Sequence, residues 1–183
     1  MKERRDVARN RSRILTAARE VFRDQGLSAS NDAVLAAAEV GVSTFYRHFR
    51  TRHELLSAVL AELTSEASAV AATARDIDDP WLAFCELFRR GCVLGEGDLA
   101  LFYALADLSP ELAAQAAELT MTIVGPGVER AKAAGVLAPS IGADDIVDLM
   151  TAAHSAPTPQ RRATRTEVIL EGLRRGDEST SRT

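Results

Sequence analysis

Apolar residues recur at three- and four-residue intervals along most of this chain, which is the period of an amphipathic helix. No segment alternates apolar and polar positions for long enough to predict a strand. The first apolar stripe predicts a helix from near Asn10 to Gln25, which Gly26 ends as a C-cap. The whole pattern predicts an all-α fold of about nine helices, with an N-terminal and a C-terminal domain.

Two short helices are predicted next, at 31–39 and 42–49, with Ser30 as the N-cap of the first. In the second, Phe45 and Phe49 are four residues apart and project from one side, while hydroxyl-bearing and cationic residues occupy the other sides. A short helix, a turn and a short exposed helix form the outline of a helix-turn-helix. The second helix of that motif enters the DNA major groove.

A fourth helix begins at the capping box of Thr51 and Glu54, and its apolar stripe continues towards Ala74. Its length predicts a single strut that connects the N-terminal part to the rest of the chain. The Asp-Pro pair at 79–80 predicts the start of a fifth helix, and a sixth is predicted over 98–108.

The Ser-Pro pair at 109–110 predicts the start of a seventh helix. The Gly-Pro-Gly segment at 125–127 predicts an interruption and a kink in it, since a proline removes a backbone donor. An eighth helix is predicted to open at 142–145. A loop over 154–160 then precedes a ninth helix, which is predicted to start at the capping box of 164–167.

Charge divides the chain as the helices do. Residues 1–60 carry 11 Lys and Arg against 7 Asp and Glu, and the remainder carries 11 against 19, which together give the totals of 22 and 26. The net charge of −4 therefore conceals a basic N-terminal part suited to an anionic partner. The predicted domains are 1–60, with a basic arm over 1–9, and 61–175, followed by a disordered tail over 176–183.

Several classes of protein find no support in the sequence. No apolar run approaches the roughly 18 residues that a membrane-spanning helix needs, and the N-terminus lacks the apolar segment of a secretory signal. We therefore expect a cytoplasmic protein without a membrane partner. Cys85 and Cys92 lack metal-binding or redox spacing and are predicted as small core residues. The chain has no catalytic motif and no metal-binding histidine pair, so we expect no enzyme activity, metal or cofactor.

One set of positions in the first third of the chain follows a single pattern. Its members are Ile14-Leu15-Thr16-Ala17-Ala18, Val21-Phe22, Gly26, Val40, Thr44-Phe45-Tyr46-Arg47-His48-Phe49, Thr51-Arg52 and Leu55-Leu56. The pattern resembles the DNA-binding domain of the TetR/AcrR family of bacterial transcriptional regulators. Two positions depart from that family: Glu39 stands where Gly is common, and Arg50 stands where Pro is frequent.

The resemblance implies that the third helix faces double-stranded DNA. The implied contacts are Val42, Ser43, Thr44, Tyr46, Arg47, His48 and Arg52. Hydroxyls of Thr44 and Tyr46 suit phosphate oxygens, and Arg47 suits guanine or phosphate. Val42 suits either a thymine methyl group or a half-buried structural position.

Aromatic and sulfur-containing residues of the fifth to seventh helices allow two interpretations. The default is an ordinary core, whereas the resemblance implies that some of them line a cavity for a small-molecule effector. With His154 added, the candidates are Trp81, Phe84, Cys85, Phe88, Phe102, Tyr103, Met121 and His154.

Apolar residues of the last two predicted helices extend beyond one narrow stripe, which suggests burial against a partner subunit. By the resemblance, these helices form a four-helix bundle with their symmetry mates. The candidate dimer contacts are Ile146, Met150, Val168, Ile169 and Leu173.

The resemblance thus implies a homodimeric transcriptional regulator, a repressor that a small-molecule effector releases from a pseudo-palindromic operator. Two alternatives remain. One is a helical small-molecule-binding protein or enzyme in which the basic N-terminal domain is incidental. The other is an architectural DNA-binding protein without an internal cavity. Selection of bound sequences from random duplexes discriminates the first alternative from a regulator, since only a regulator enriches one symmetric sequence.

Overall fold

The structure, a computed structural model, describes residues 2–91 and 96–174, with side chains for 6–65, 67–69, 71–90, 98 and 100–174. Cys92 and the tail predicted over 176–183 lie outside these residues. The described residues form ten helices and no strand, and Leu137 and Arg174 make one isolated bridge. The all-α prediction is confirmed.

The helices take the following bounds. They are α1 (Lys2–Gln25), α2 (Asn31–Ala38), α3 (Val42–His48), α4 (Arg52–Leu63), α5 (Ser65–Arg75), α6 (Pro80–Gly91), α7 (Glu96–Ala106), α8 (Pro110–Ala133), α9 (Ala143–His154) and α10 (Pro159–Leu173). Within the described ranges, no single helix is long and apolar enough to cross a membrane. Only α4 and α5 taken together have the required length and apolar composition.

These helices divide into two compact units. The first contains α1 to α4, α7 and the first part of α8, as far as residue 117. The second contains α5, α6, the rest of α8, α9 and α10. The division predicted at residue 60 assigned α7 to the C-terminal part, whereas in the structure α7 packs against α1 and α4.

Helix α1 is the centre of the first unit, where it packs against α2, α3, α4 and α7. The stripe predicted from its spacing is buried, with Ile14 and Ala18 at 0% exposure. Leu55 and Leu60 of α4 are equally buried. Removing such side chains from water is the main force that holds this unit together.

The N-terminal end of α1 differs from the prediction. The helix begins at Lys2 rather than near Asn10, so the segment expected to be an arm over 1–9 is helical from Lys2. Lys, Glu and Arg are good helix formers. Arg9 and Asp6 also pair across one turn at 3.1 Å.

The strut predicted from Arg52 to Ala74 is two helices. α4 ends at Leu63, and α5 begins at Ser65. Between them, the hydroxyl of Thr64 donates a hydrogen bond to the carbonyl of Ala61 at 2.9 Å. A threonine hydroxyl that binds a nearby carbonyl in this way competes with the helical backbone pattern.

The predicted interruption at 125–127 is wrong, because α8 runs without a break through Pro126. Gly125 has no Cβ atom to meet the proline ring, which removes part of the clash that disfavours helix before a proline. Gly127 has a different role. A Cβ atom there would overlap the side chain of Leu87 on α6.

The start predicted for the last helix is also wrong. α10 begins at Pro159, and the hydroxyl oxygen of Thr158 caps it by accepting from the amide of Arg161 at 3.3 Å. A proline fits the first helical position because it has no amide to leave unpaired. Thr164 lies inside the helix, where its hydroxyl donates to the carbonyl of Gln160 at 3.0 Å.

The second unit has its own core, formed by α6, α8, α9 and α10. Its buried members are Phe84, Cys85, Phe88, Val124, Val128, Ala131, Leu137, Ile146, Met150, Leu170 and Leu173. At the surface, Arg89 of α6 donates two hydrogen bonds to Glu167 of α10, at 2.8 and 2.7 Å. These bonds lower the pKa of the Glu167 carboxyl.

Candidate nucleic-acid interface

Two phenylalanines anchor α3 in the first unit. Phe45 is 1% exposed and Phe49 is 2% exposed, and their ring centroids are 6.2 Å apart. Their four-residue spacing directs both rings to the same side of the backbone. Since one side of α3 is fixed in this way, its remaining side chains have defined directions.

The opposite side of α3 is open to solvent. Val42 is 61% exposed and Tyr46 is 46% exposed, while Ser43 and Arg47 are also exposed and Thr44 is half-buried. The structure therefore favours the exposed position over the half-buried one for Val42. A phenol, hydroxyls and a guanidinium on one surface can donate hydrogen bonds to phosphates and to base edges.

The turn between α2 and α3 contains an unusual backbone conformation. Ser30 caps α2 as predicted, accepting from the amide of Ala33 at 3.2 Å. At the other end of α2, Glu39 has φ 50°, in the left-handed region that favours glycine. No other non-glycine residue in the described ranges has a positive φ. Glu39 thus has a left-handed conformation at the position where the resemblance implies a Gly.

Arg52 has partners within the chain. Its Nη1 donates to Asn31 Oδ1 at 2.8 Å, and its Nη2 donates to the carbonyl oxygen of Leu27 at 2.7 Å. The guanidinium also lies over the ring of Phe22, 4.7 Å from its centroid. Partial burial lowers the pKa of the Arg52 guanidinium. These contacts tie the start of α4 to the start of α2 and to the loop before it. Arg52 therefore has a structural role in addition to the phosphate contact that the resemblance implies.

His48 is turned partly inwards. Its Nε2 atom is buried and has no hydrogen-bond partner in the described part of the chain. Burial lowers the pKa of the His48 ring, and the charges of Arg47 and Arg11 lower it further. In this conformation, the implied phosphate contact of His48 would have to use Nδ1.

The first unit also contains a charged cluster that spacing along the sequence did not reveal. Asp98 of α7, which is 6% exposed, accepts hydrogen bonds from Arg19 Nε at 2.8 Å and from Arg19 Nη2. Arg23 Nη1 lies 3.4 Å from the same carboxylate. The hydrogen bonds from Arg19 are the main reason that the pKa of Asp98 is lowered. In the sequence, Asp98 is only a carboxylate in the first turn of a helix. Such a position does not identify partners as distant in the chain as Arg19 and Arg23.

A second polar link joins α4 and α8 in the same unit. The hydroxyl of Ser57 donates to Gln115 Oε1 at 2.7 Å, and Gln115 Nε2 donates to the carbonyl of Ser57 at 3.1 Å. The helices of the first unit are therefore held by specific hydrogen bonds as well as by apolar packing.

The residues predicted to line an effector cavity occupy different environments. Phe84, Cys85 and Phe88 belong to the core of the second unit, and Trp81 packs against that core. Burial raises the pKa of the Cys85 thiol. Met121 is 38% exposed and His154 is half-buried. Phe102 and Tyr103, by contrast, belong to α7 in the first unit.

One small cavity of about 30 Å³ lies between α5, α6 and α8. It is lined mainly by small and apolar residues, namely Ala71, Ala74, Arg75, Ala83, Leu87, Ile123, Pro126, Gly127 and Arg130. This volume holds a water molecule or two. None of the predicted effector residues lines it.

Three of the five predicted dimer contacts are already buried within the second unit. Ile146 is 0%, Met150 6% and Leu173 9% exposed, all in the core of that unit. Their apolar spacing reflects packing between α9, α10 and their neighbours, so they are not available to a partner. Val168 is 62% exposed and Ile169 is partly buried. These two residues remain as candidates for dimer contacts.

Comparison with known proteins connects this geometry to a family. Residues 14–59 match the family model of bacterial regulatory proteins of the tetR family. No curated protein matches the chain. Among solved structures, a TetR transcription regulatory protein from Mycobacterium vanbaalenii is 27% identical, with a TM-score of 0.67 over 94% of this chain and 99% of its own.

More distant structures share the fold. A TetR-family transcriptional regulator from Rhodococcus sp. is 16% identical, with a TM-score of 0.71 over 91% of this chain and 98% of its own. A gamma-butyrolactone receptor is 21% identical, with a TM-score of 0.68 over 94% of this chain and 92% of its own. The fold thus extends well beyond the segment matched by the family model.

Proposed function

We propose that this chain, a TetR-family transcriptional regulator by its DNA-binding segment and its fold, is a homodimeric repressor that releases its operator when a small molecule binds. The observation that carries the proposal is the two-sided character of α3. Buried Phe45 and Phe49 fix the helix, while Tyr46 and Arg47 are open to solvent. A rigid helix with an exposed polar side is what reading a major groove requires.

Two copies of α3 are needed for specific recognition. In a two-fold dimer, each recognition helix reads one half of a pseudo-palindrome, and the spacing of the half-sites reflects the separation of the subunits. The exposed Val168 and the partly buried Ile169 support α10 as part of the contact between subunits. A four-helix bundle of α9 and α10 with their symmetry mates is the proposed interface.

Release by an effector would require the second unit to rearrange. Its core is closely packed around Phe84 and Phe88, and the cavity between α5, α6 and α8 has room for little more than water. We infer that an effector binds a more open conformation of this unit, and that its binding energy shifts the population towards that state. The resulting change in the separation of the two α3 helices weakens operator binding.

Selection of bound sequences from a pool of random duplexes tests the proposed function. We expect enrichment of one sequence with two-fold symmetry. Arg47→Ala should weaken binding to it by about 1–3 kcal/mol if the guanidinium contacts a base. Arg90→Ala, which removes an exposed guanidinium near the end of α6, is the matched control and should bind as the unmodified protein does. Recovery of no preferred sequence would count against a regulator.

A further inference from the structure

The turn before α3 contains an ion pair between α1 and α2. Arg13 Nη2 of α1 donates to the carboxylate Oε2 of Glu39 at 3.2 Å and to its carbonyl oxygen at 3.4 Å. Glu39 is the C-cap of α2 and has φ 50°. The side chain of Glu39 is 83% exposed and that of Arg13 is 43% exposed.

This glutamate is not needed for the stability of the turn. Glycine adopts a left-handed conformation at lower cost than a residue with a Cβ atom. An ion pair this exposed contributes little to folding. A function that involves charge therefore accounts better for glutamate at this position than stability does.

Two arginines of α1 lie at opposite ends of α3. The guanidinium of Arg11 is over the ring of Phe49, 5.3 Å from its centroid, immediately after α3. Arg13 is held by Glu39, two residues before Gly41, the N-cap of α3. When a recognition helix enters a major groove, the phosphates of both strands flank it. Arg11 and Arg13 are thus basic residues close to the two ends of α3.

We propose that Glu39 lowers the affinity of this protein for the DNA backbone by occupying Arg13 and by placing a carboxylate beside the phosphates. This inference rests on the proposed DNA-binding function. Because the pair is exposed, a phosphate can replace the carboxylate as the partner of Arg13 at small cost. The displaced carboxylate then repels the phosphate. The effect concerns phosphates alone, so Glu39 sets the overall affinity and leaves sequence preference unchanged.

Four variants test the proposal: Glu39→Gln, Arg13→Gln, the double variant, and Glu62→Gln as the matched control. Glu62 is exposed and lies near the end of α4, at the far end of that helix from α3. Binding is measured to a duplex of the selected sequence and to a scrambled duplex of equal length, over a range of salt concentrations. Each variant is compared with the unmodified protein at the same salt.

Glu39→Gln should bind both duplexes roughly two- to fivefold more tightly at low salt, the range that one exposed ion pair covers. The slope of log K against log salt should become steeper by up to about 0.9, because the carboxylate no longer offsets the charge that Arg13 brings to the phosphates. Adding Arg13→Gln to Glu39→Gln should abolish the gain. Glu62→Gln should leave affinity and slope unchanged.

Unchanged binding of Glu39→Gln, or an equal gain in Glu62→Gln, overturns the proposal. Retention of the gain in the double variant overturns the part that concerns Arg13. A separate measurement keeps these outcomes distinct from failure of the proposed function. If the protein prefers no sequence, the proposed function as a regulator is wrong, whereas binding to the scrambled duplex still tests the effect of Glu39. Glu39→Gly should show the same gain together with a higher unfolding midpoint, because it also removes the backbone strain.

Discussion

Arginine side chains of the first unit differ in what they contact, although all carry the same charge. Arg52 has hydrogen bonds to Asn31 and Leu27 and lies over an aromatic ring. Arg47 and Arg50, by contrast, have exposed side chains around the end of α3. Only guanidinium groups of the second kind can approach a phosphate without breaking contacts within the protein. We therefore expect Arg52 to affect folding and Arg47 to affect DNA binding.

Arg52→Ala should lower the free energy of unfolding by about 1–3 kcal/mol, because it removes two charge-assisted hydrogen bonds and leaves their acceptors unpaired. Arg52→Lys should restore only part of this loss, since an ammonium group cannot reproduce the planar fork of donors. Urea denaturation measures the difference. Arg50→Ala is the control, with an expected change within about 0.5 kcal/mol. If Arg52→Ala is as stable as the control but loses one unit of salt dependence in DNA binding, Arg52 is a phosphate contact.

At the scale of elements, α8 illustrates how glycine and proline act through their neighbours. Pro126 does not end the helix, and Gly127 allows α8 to approach Leu87 of α6 closely. Gly172 of α10 has open space around the position of a Cβ atom. The two helical glycines thus differ only in what surrounds them.

Gly172→Ala should raise the free energy of unfolding by up to about 1 kcal/mol, the gain in helix propensity. Gly127→Ala gains the same propensity, but the new methyl group displaces Leu87, which is 2% exposed in a packed region. We expect Gly127→Ala to be less stable than Gly172→Ala by about 1–3 kcal/mol. Equal stability of the two variants would show that Leu87 moves freely into the adjacent cavity.

Asp98 of α7 links that helix to α1 through Arg19 and Arg23. Asp98→Asn should lower the free energy of unfolding at neutral pH by about 2 kcal/mol, since Arg19 and Arg23 lose a carboxylate that is largely buried. The pKa of Asp98 is lowered in the folded state. The stabilisation is therefore complete above the ordinary value of 3.8 and is lost as the pH falls below it.

Urea denaturation at several pH values measures the contribution of Asp98. The difference between the unmodified protein and Asp98→Asn should shrink in acid. A double-mutant cycle with Arg19→Gln isolates the pair. A coupling energy near zero at neutral pH would show that the contact between Arg19 and Asp98 contributes nothing to folding.

At the scale of the whole molecule, the proposed function depends on assembly into a dimer. Val168 is the most exposed large apolar residue of the second unit, in the part of the chain that the structure describes. Val168→Asp should raise the dimer dissociation constant at least about tenfold, because it buries a charge in an apolar contact. Sedimentation equilibrium measures the change. Binding to the selected operator should fall in parallel.

Leu82→Asp provides the control for Val168→Asp. Leu82 is 56% exposed and lies on α6 in the same unit. The Leu82→Asp variant should remain dimeric. If Leu82→Asp dissociates the dimer and Val168→Asp does not, the interface lies on α6 and not on α10.

Local features of this protein could be predicted from its sequence. The helical period of the apolar residues is fixed by neighbours three and four positions away, so the all-α class and most helices were predictable. The N-caps at Ser30 and Thr51 were predicted for the same reason. The side-chain oxygen of each accepts a hydrogen bond from the backbone amide three residues later. The anchoring of α3 by Phe45 and Phe49 also follows from spacing within one turn. The family match to residues 14–59 confirms the resemblance seen in those positions.

Contacts between side chains that are far apart in the chain could not be predicted, because they depend on how the helices pack. The spacing of an apolar stripe does not show whether the stripe packs within its own unit or against a partner. Ile146 and Met150, predicted as dimer contacts, are buried in the core of their own unit. The sequence likewise does not show which residue a charged side chain pairs with. Arg52 and Asp98 find theirs 21 to 79 residues away. Spacing along a helix is a local quantity, whereas these pairings depend on how separate helices pack.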